Sequence, residues 1–343
     1  MVSHRRPAQS GLTRGARVTV LSAAAATAAA AFGAAPAGAD PRDSAAATRA
    51  RLDRLFEEAE RATERFNRAG ERVTRLREEV EHAQDRVARG QERINGMRDM
   101  LGSVAGAQYR SSGMDPALAL LLSENPDSYL EAAQTLDRIT ERQATALRDL
   151  RRAQRDLGQE RAEASRDLLE LERSRAAVAR HKRAVERKLG EARRLLNSLP
   201  DAERAAFDRA SRSGRDLMLP DVPGLGPGSP HAGAAVLSAR SALGRPYVWG
   251  ANGPSGFDCS GLVQWSYAQA GVGLPRTSQA QANAGRRVPL SEARPGDIVT
   301  YRSDASHVAL YVGNGRVVHA PYPGASVRYD PVGMMPVHAV TRV

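Results

Sequence analysis

Gly256-Phe257-Asp258-Cys259-Ser260-Gly261-Leu262-Val263 is the stretch that decides how the C-terminal third of this chain folds. Asp258 stands where a helix N-cap belongs, and Cys259, Leu262, Val263, Trp265, Ser266 and Ala270 continue as one helix, which Gly271 and Gly273 end. A thiol on the first turn of a helix faces free N–H groups and the positive end of the helix dipole, both of which favour the thiolate. Cys259 is the single cysteine among 343 residues, so no intramolecular disulfide framework and no CxxC metal site exists. A lone cysteine is often only a small core residue. The helix-start position favours a nucleophile instead.

A nucleophilic thiol needs a base. Downstream, Pro295-Gly296-Asp297 opens a strand from Ile298 to Tyr301. Two further strands follow, His307 to Val312 and Arg316 to Ala320, joined by Gly313-Asn314-Gly315. A two-residue Asn-Gly loop would put His307 and His319 on opposite faces. A three-residue loop, Gly313 to Gly315 with a bulge, puts them on one face as diagonal neighbours, so cooperation between the imidazoles predicts the three-residue kind. The roles that follow are Cys259 as nucleophile, His307 as the base that takes its proton, and His319 as the group that orients His307. A zinc site from His307, His319 and His338 is the metal alternative, but the compact spacing usual for such ligands is missing. No metal and no cofactor is expected.

Upstream, Ser211 to Gly233 carries Pro220, Pro223, Pro227 and Pro230 among glycines and reads as a linker, residues 211–232, before a compact domain at 233–343. Before it, apolar positions step by three and four from Leu52, Leu55, Ala59 and Ala62 to Val87, resuming through Ile94 to Val104, a coiled-coil seam of about seven heptads. A second run, Leu150, Leu157, Ala164, Leu171, Val178, Val185, Ala192 and Leu199, has polar residues (Gln154, Arg161, Arg175, Lys182) at its other core position, so this arm should be looser. Gly113, Pro116 and Pro126 break the helix between the runs. Residues 40–210 are therefore an antiparallel hairpin with a break near 111–126 and arms about 80 Å long. Leu118, Leu120, Leu121 and Leu122 at its tip suggest a docking surface.

Residues 1–39 read as a secretory signal: Arg5, Arg6, Arg14 and Arg17, the apolar stretch Val18 to Phe32, then Ala37-Gly38-Ala39. The stretch is shorter than the ~20 residues a bilayer span needs. Cleavage after Ala39 leaves no transmembrane segment and lowers the net charge from +11 to +7. The remaining charge is interleaved in sign, which argues against a nucleic-acid groove.

The C-terminal residues resemble the NlpC family of bacterial cell-wall cysteine peptidases. The matching stretches are Arg245-Pro-Tyr-Val-Trp-Gly250, Gly256 to Val263, Leu274-Pro-Arg-Thr-Ser278, Arg294-Pro-Gly-Asp-Ile-Val299, and His307 through the turn to His319-Ala320-Pro321. Ala251 departs from the pattern, standing where the family usually has glycine. The resemblance implies a multi-domain chain, a coiled-coil hairpin followed by a compact α+β papain-like domain. It also implies hydrolysis of peptidoglycan stem peptides between D-γ-glutamate and diaminopimelate, outside the cytoplasmic membrane at the cell wall, in wall remodelling or cell separation. By position, Cys259, His307 and His319 match the family's catalytic residues. Tyr247 matches a tyrosine beside the nucleophile that holds substrate or oxyanion, and Asp258, Ser260 and Ser278 match positions lining the substrate site. The hairpin is similar to coiled coils of exported division hydrolases, which implies an FtsE/FtsX-type membrane complex as a partner for the tip. Two other classes stay open: a non-catalytic scaffold or activator of wall hydrolases, and amidase or acyltransferase chemistry from the same residues.

Overall fold

The computed structural model describes residues 41–111, 126–212 and 229–343, together with Leu118 and Leu122. The stretch read as an export signal, most of the hairpin turn and residues 213–228, read as linker, lie outside the described residues.

Helices α1 (Pro41–Ser111) and α2 (Pro126–Asn197) are 71 and 72 residues long and pack along each other. At 1.5 Å per residue each is about 105 Å long, more than the heptad run alone indicated. The α1 seam buries Leu52, Leu55, Ala59, Ala62, Val73, Leu76, Val80, Ala83 and Ile94. The α2 arm buries only one residue in each heptad, Leu157, Ala164, Leu171, Val185 and Ala192, while Gln154, Arg161, Arg175 and Lys182 stay in solvent. The looser second arm is thus as expected. A short helix α3 (Asp201–Arg212) turns back, and its Phe207 joins Phe56 of α1 and Tyr322 of the C-terminal domain in an aromatic cluster.

The linker reading needs correction at both ends. Residues 211–212 complete α3, and helix α4 (Pro230–Ser241) starts before residue 233. Ser229 caps it by accepting from the Ala232 N–H at 3.1 Å, and Pro230 fits the first helical turn, where no N–H partner is needed.

In the C-terminal domain, α4 and α5 (Cys259–Gln269) cover one face of a six-stranded antiparallel sheet, and a single-turn α6 (Ser278–Gln281) follows. The strands β1 (Arg286–Val288), β2 (Ile298–Tyr301), β3 (His307–Gly313), β4 (Arg316–His319), β5 (Arg328–Pro331) and β6 (Val337–Arg342) run in the order β1-β6-β2-β3-β4-β5. Alternate residues feed two cores. Ile298, Val308, Leu310 and Val318 pack under the helices, and Val299, Tyr301, Ala309, Tyr311 and Val317 pack on the opposite face. Neither core draws a residue from the hairpin.

The β3–β4 turn reaches the expected register by another device. Leu310 pairs with Val318 and Tyr311 with Val317, as the three-residue loop required. The loop itself is the two-residue Asn314-Gly315, both with positive φ, closing on the pair Gly313–Arg316. A bulge between Tyr311 and Gly313 supplies the one-residue shift, with Gly313 at φ 94°. His307 and His319 therefore share a face.

Candidate active site

Cys259 is the first residue of α5, and Asp258 caps that helix by accepting from the Gly261 N–H at 2.7 Å. The Ala251 carbonyl accepts from the Asp258 N–H at 2.9 Å, and a Cβ on Gly261 would come within 2.1 Å of that oxygen. Glycine is required there because the loop 250–252 lies directly on the helix start. Asp258 is fully buried. Beyond the cap it accepts from the Gly250 N–H at 3.0 Å and from both terminal nitrogens of Arg276, at 2.9 and 2.6 Å. Its first role is to fix the helix start, the loop and Arg276 around the thiol.

The two histidines are fully enclosed and form a relay. His307 Nε2 lies 2.8 Å from His319 Nδ1, and His319 Nε2 lies 2.8 Å from Asp330 Oδ2. Asp330 on β5 is held in turn by Arg328 Nε at 2.9 Å. Burial raises the Asp330 carboxyl, but its hydrogen bond and attraction to His319, with Arg328 behind, outweigh that and hold it below the ordinary carboxylate range. Burial pushes His319 down to about 4, so it is neutral near pH 7. An ionised carboxylate only accepts, so His319 carries its proton on Nε2 and offers the Nδ1 lone pair to an N–H at His307 Nε2. That leaves Nδ1 of His307 as the working nitrogen. Sequence reasoning missed Asp330, whose signal is its β5 position opposite Val317, beside His319, in a register no motif announces.

The larger surprise is what fills the cleft. One stripe of α1 (Glu60, Thr63, Glu64, Asn67) is buried against the C-terminal domain. Glu60 Oε1 lies 2.9 Å from His307 Nδ1, and its Oε2 accepts from Arg302 Nη1 at 2.6 Å. Glu64 Oε1 lies 3.8 Å from Cys259 Sγ and accepts from Ser260 Oγ at 2.7 Å, while Oε2 accepts from the Ser278 N–H at 2.9 Å. Asn67 Nδ2 donates to Asp258 Oδ2 at 3.0 Å, and the Glu71 carboxylate accepts from the Arg276 N–H at 2.9 Å. Further along, Phe66 meets Trp249 edge-on at 5.2 Å, beside a cavity of about 940 Å³ lined by Asn67, Gly250, Arg276, Thr277 and Ala280.

These contacts reverse the electrostatics expected of Cys259. Burial, followed by repulsion from Glu64, Glu60 and Asp258, raises its thiol well above the ordinary range. The helix start favours the thiolate, but three carboxylates in a dry cleft oppose it more strongly. Tyr247 is buried beside it, its phenol also raised, first by burial and then by the charge of Cys259. Ser260 and Ser278 are both in the cleft, and Ser278 Oγ is buried without a partner. All seven residues named from sequence thus surround one cleft. His338 of the zinc alternative is exposed on β6, away from it, and no cluster of three metal-ligating side chains occurs among the described residues.

The NlpC/P60 family matches residues 244–340. A probable endopeptidase of Mycobacterium tuberculosis strain H37Rv is 50% identical over 99 residues, covering 29% of this chain and 26% of its own. A probable endopeptidase of Corynebacterium glutamicum is 47% identical over 109 residues, covering 32% of this chain and 52% of its own. The match therefore spans about a quarter to a half of these relatives. Among solved structures, a hypothetical invasion protein of Mycobacterium tuberculosis is 38% identical with a TM-score of 0.31, covering 33% of this chain and 61% of that one. The hairpin lies outside the family match, residues 244–340. The NlpC/P60 match thus lies wholly in the C-terminal domain, behind a long N-terminal helical hairpin.

Proposed function

We propose that the chain is a secreted, cell-wall-associated cysteine peptidase that hydrolyses peptidoglycan stem peptides at the D-γ-glutamyl–diaminopimelate bond. The observation that carries this reading is the placement of Cys259 at a helix start with the chain His307–His319–Asp330 on the same cleft. In the open cleft His307 Nδ1 takes the thiol proton, and the thiolate attacks the γ-carbonyl carbon. The Cys259 N–H, unpaired within the first helical turn, and the Tyr247 hydroxyl hold the oxyanion. The proton on Nδ1 passes to the leaving diaminopimelate amine as the C–N bond breaks. A water then gives a proton to Nδ1 and attacks the thioester, which frees the glutamate carboxyl and returns the proton to sulfur.

Asp330 works at one remove. It keeps the Nε2 proton on His319, and so keeps Nδ1 of His307 pointed at the sulfur side of the ring. Asp258 and Arg276 shape the substrate side, and Ser260 and Ser278 offer a hydroxyl and a backbone N–H where Glu64 now sits. Export through residues 1–39 and docking of the hairpin tip on an FtsE/FtsX-type complex belong to the same reading. Of the tip leucines only Leu118 and Leu122 are described, and both are exposed.

Digestion of purified peptidoglycan with residues 229–343, which contain both cores complete, tests the activity beside a Cys259→Ala control. New fragments ending in D-glutamate, absent from the control, are the expected products. Thiol-dependent products with another amine attached to the glutamate would shift the reading to acyl transfer. No thiol-dependent product at all would leave the scaffold reading.

A further inference from the structure

We propose that α1 is a built-in inhibitor of this cleft that works by charge substitution: Glu60 takes the place of the Cys259 thiolate as the partner of the His307 imidazolium, and Glu64 occupies the substrate position over the thiol. The inference concerns regulation of the site and rests on the peptidase reading above.

The partners of each ring nitrogen carry the proton assignment. His307 Nε2 donates to His319, so its Nδ1 can face the Glu60 carboxylate only as a second N–H. Burial acts to raise Glu60, yet attraction to His307 and Arg302 prevails and keeps it ionised. The general base therefore already holds a proton, balanced by Glu60 instead of by sulfur. Cys259 keeps its own proton, which it can direct at Glu64 Oε1. One turn of α1 separates the two carboxylates, a rise of about 6 Å, so a rigid helix disarms the base and the nucleophile together.

Packing alone does not account for these residues. A helix that only needed to rest on the domain would do so with apolar or exposed side chains, because each carboxylate taken out of water costs several kcal/mol before it is compensated. Most other glutamates of α1 stay at least partly in solvent, whereas Glu60 and Glu64 are each 2% exposed. The polar contacts continue beyond them in register, with Arg61 to Asp304 at 2.8 Å and Glu71 to the Arg276 N–H. Compensation is also uneven. Glu60 has two cationic partners, but Glu64 faces Asp258 as well as Arg276, and burial with that repulsion pushes it up to about 7. The helix is thus seated by specific contacts and remains removable, by a pull on the hairpin or by competition from substrate.

Native alkylation of Cys259 by iodoacetamide, followed by mass spectrometry, reads occlusion without using any substrate. Residues 40–343 would be compared as wild type, Glu60→Gln/Glu64→Gln, Glu60→Ala/Glu64→Ala and the solvent-face control Glu78→Ala/Glu81→Ala, with melting curves to establish folding. The expected result is at least tenfold faster alkylation in both cleft variants, with peptidoglycan hydrolysis rising in step and the control matching wild type. The isosteric glutamine pair changes charge with little change of shape, so it separates charge substitution from bulk. Equal alkylation of wild type and both folded cleft variants would overturn the inference. Faster alkylation with no hydrolysis from any form would support the inhibitor and overturn the peptidase reading instead.

Discussion

Helix α1 has two buried faces, and they are built differently. Toward α2 it presents Leu52, Leu55, Ala59, Ala62, Val73 and Leu76, and toward the catalytic cleft Glu60, Thr63, Glu64 and Asn67. The first face gains from excluding water and loses only by leaving voids. The charges of the second gain only while each keeps its partner, and they lose those partners together if the helix lifts, along with the flanking contacts of Phe56 with Tyr322 and Phe66 with Trp249. An apolar seam suits a permanent joint, and a polar one suits a joint that must open. The inhibitor proposal accordingly requires the hairpin to leave the cleft as a unit without its arms parting.

The largest expected effect would break the catalytic side of the comparison. His307→Ala, in residues 229–343 to remove the influence of α1, should lower hydrolysis by at least about 10³-fold, measured as release of D-glutamyl fragments. Retained activity would mean that the imidazole facing Glu60 is not the base. Next is the apolar face. Leu76→Ala, at a position 1% exposed, should destabilise the hairpin by roughly 3 kcal/mol. Circular dichroism of residues 40–343 would show this as earlier helix melting, with the C-terminal domain melting unchanged. If the C-terminal domain melted earlier too, the two faces would not be independent. Smaller again is Asp330→Asn in residues 229–343, which should cut kcat about tenfold with KM little changed, because it alters the tautomer of His319 and not the substrate surface. A matching rise in KM would place Asp330 in binding instead.

The C-terminal fold and the convergence of Cys259, His307 and His319 on one cleft were legible because they follow local rules. An N-cap before a thiol, glycines at turn positions and alternating strands fix α5 and β2 to β4 within short windows. The relation of His307 to His319 was also readable as a register, although a bulge at Val312 and not a longer loop delivers it. The stripe Glu60, Glu64, Asn67 was not legible. On a coiled coil, glutamates outside the apolar seam have the pattern of a solvated face, and nothing local marks these as different from Glu78 or Glu81. Their burial depends on a domain nearly 200 residues away in sequence. Asp330 was missed for the same reason, since cross-strand neighbours are set by the whole sheet order.

The subtlest test of the two faces is pH. The seated state favours the protonated forms of two groups, Cys259 and Glu64. Cys259 is raised by burial and by Glu64, Glu60 and Asp258, and release would let its thiol ionise more readily. Glu64, raised from 4.5 to about 7 by burial and Asp258 against the pull of Arg276, gives up a proton on release. A carboxyl whose pKa is raised in the seated state supports that state fully below 4.5 and loses its contribution as pH climbs through about 7, and the Cys259 thiol acts in the same direction. Glu60 alone opposes this, being lowered, but its loss falls below pH 4.5, outside the window. Raising pH from 5 to 8 should therefore unseat α1. The measurable quantity is the Cys259 alkylation rate of residues 40–343 divided by that of residues 229–343 at the same pH, which cancels the intrinsic ionisation of an open thiol. The ratio should rise several-fold across the window in wild type and flatten in Glu64→Gln. Among the described residues the α1–α2 seam buries no titratable pair of this kind, so helix melting should change little over the same range. A constant ratio with an occluded thiol throughout would mean that the polar face is as permanent as the apolar one.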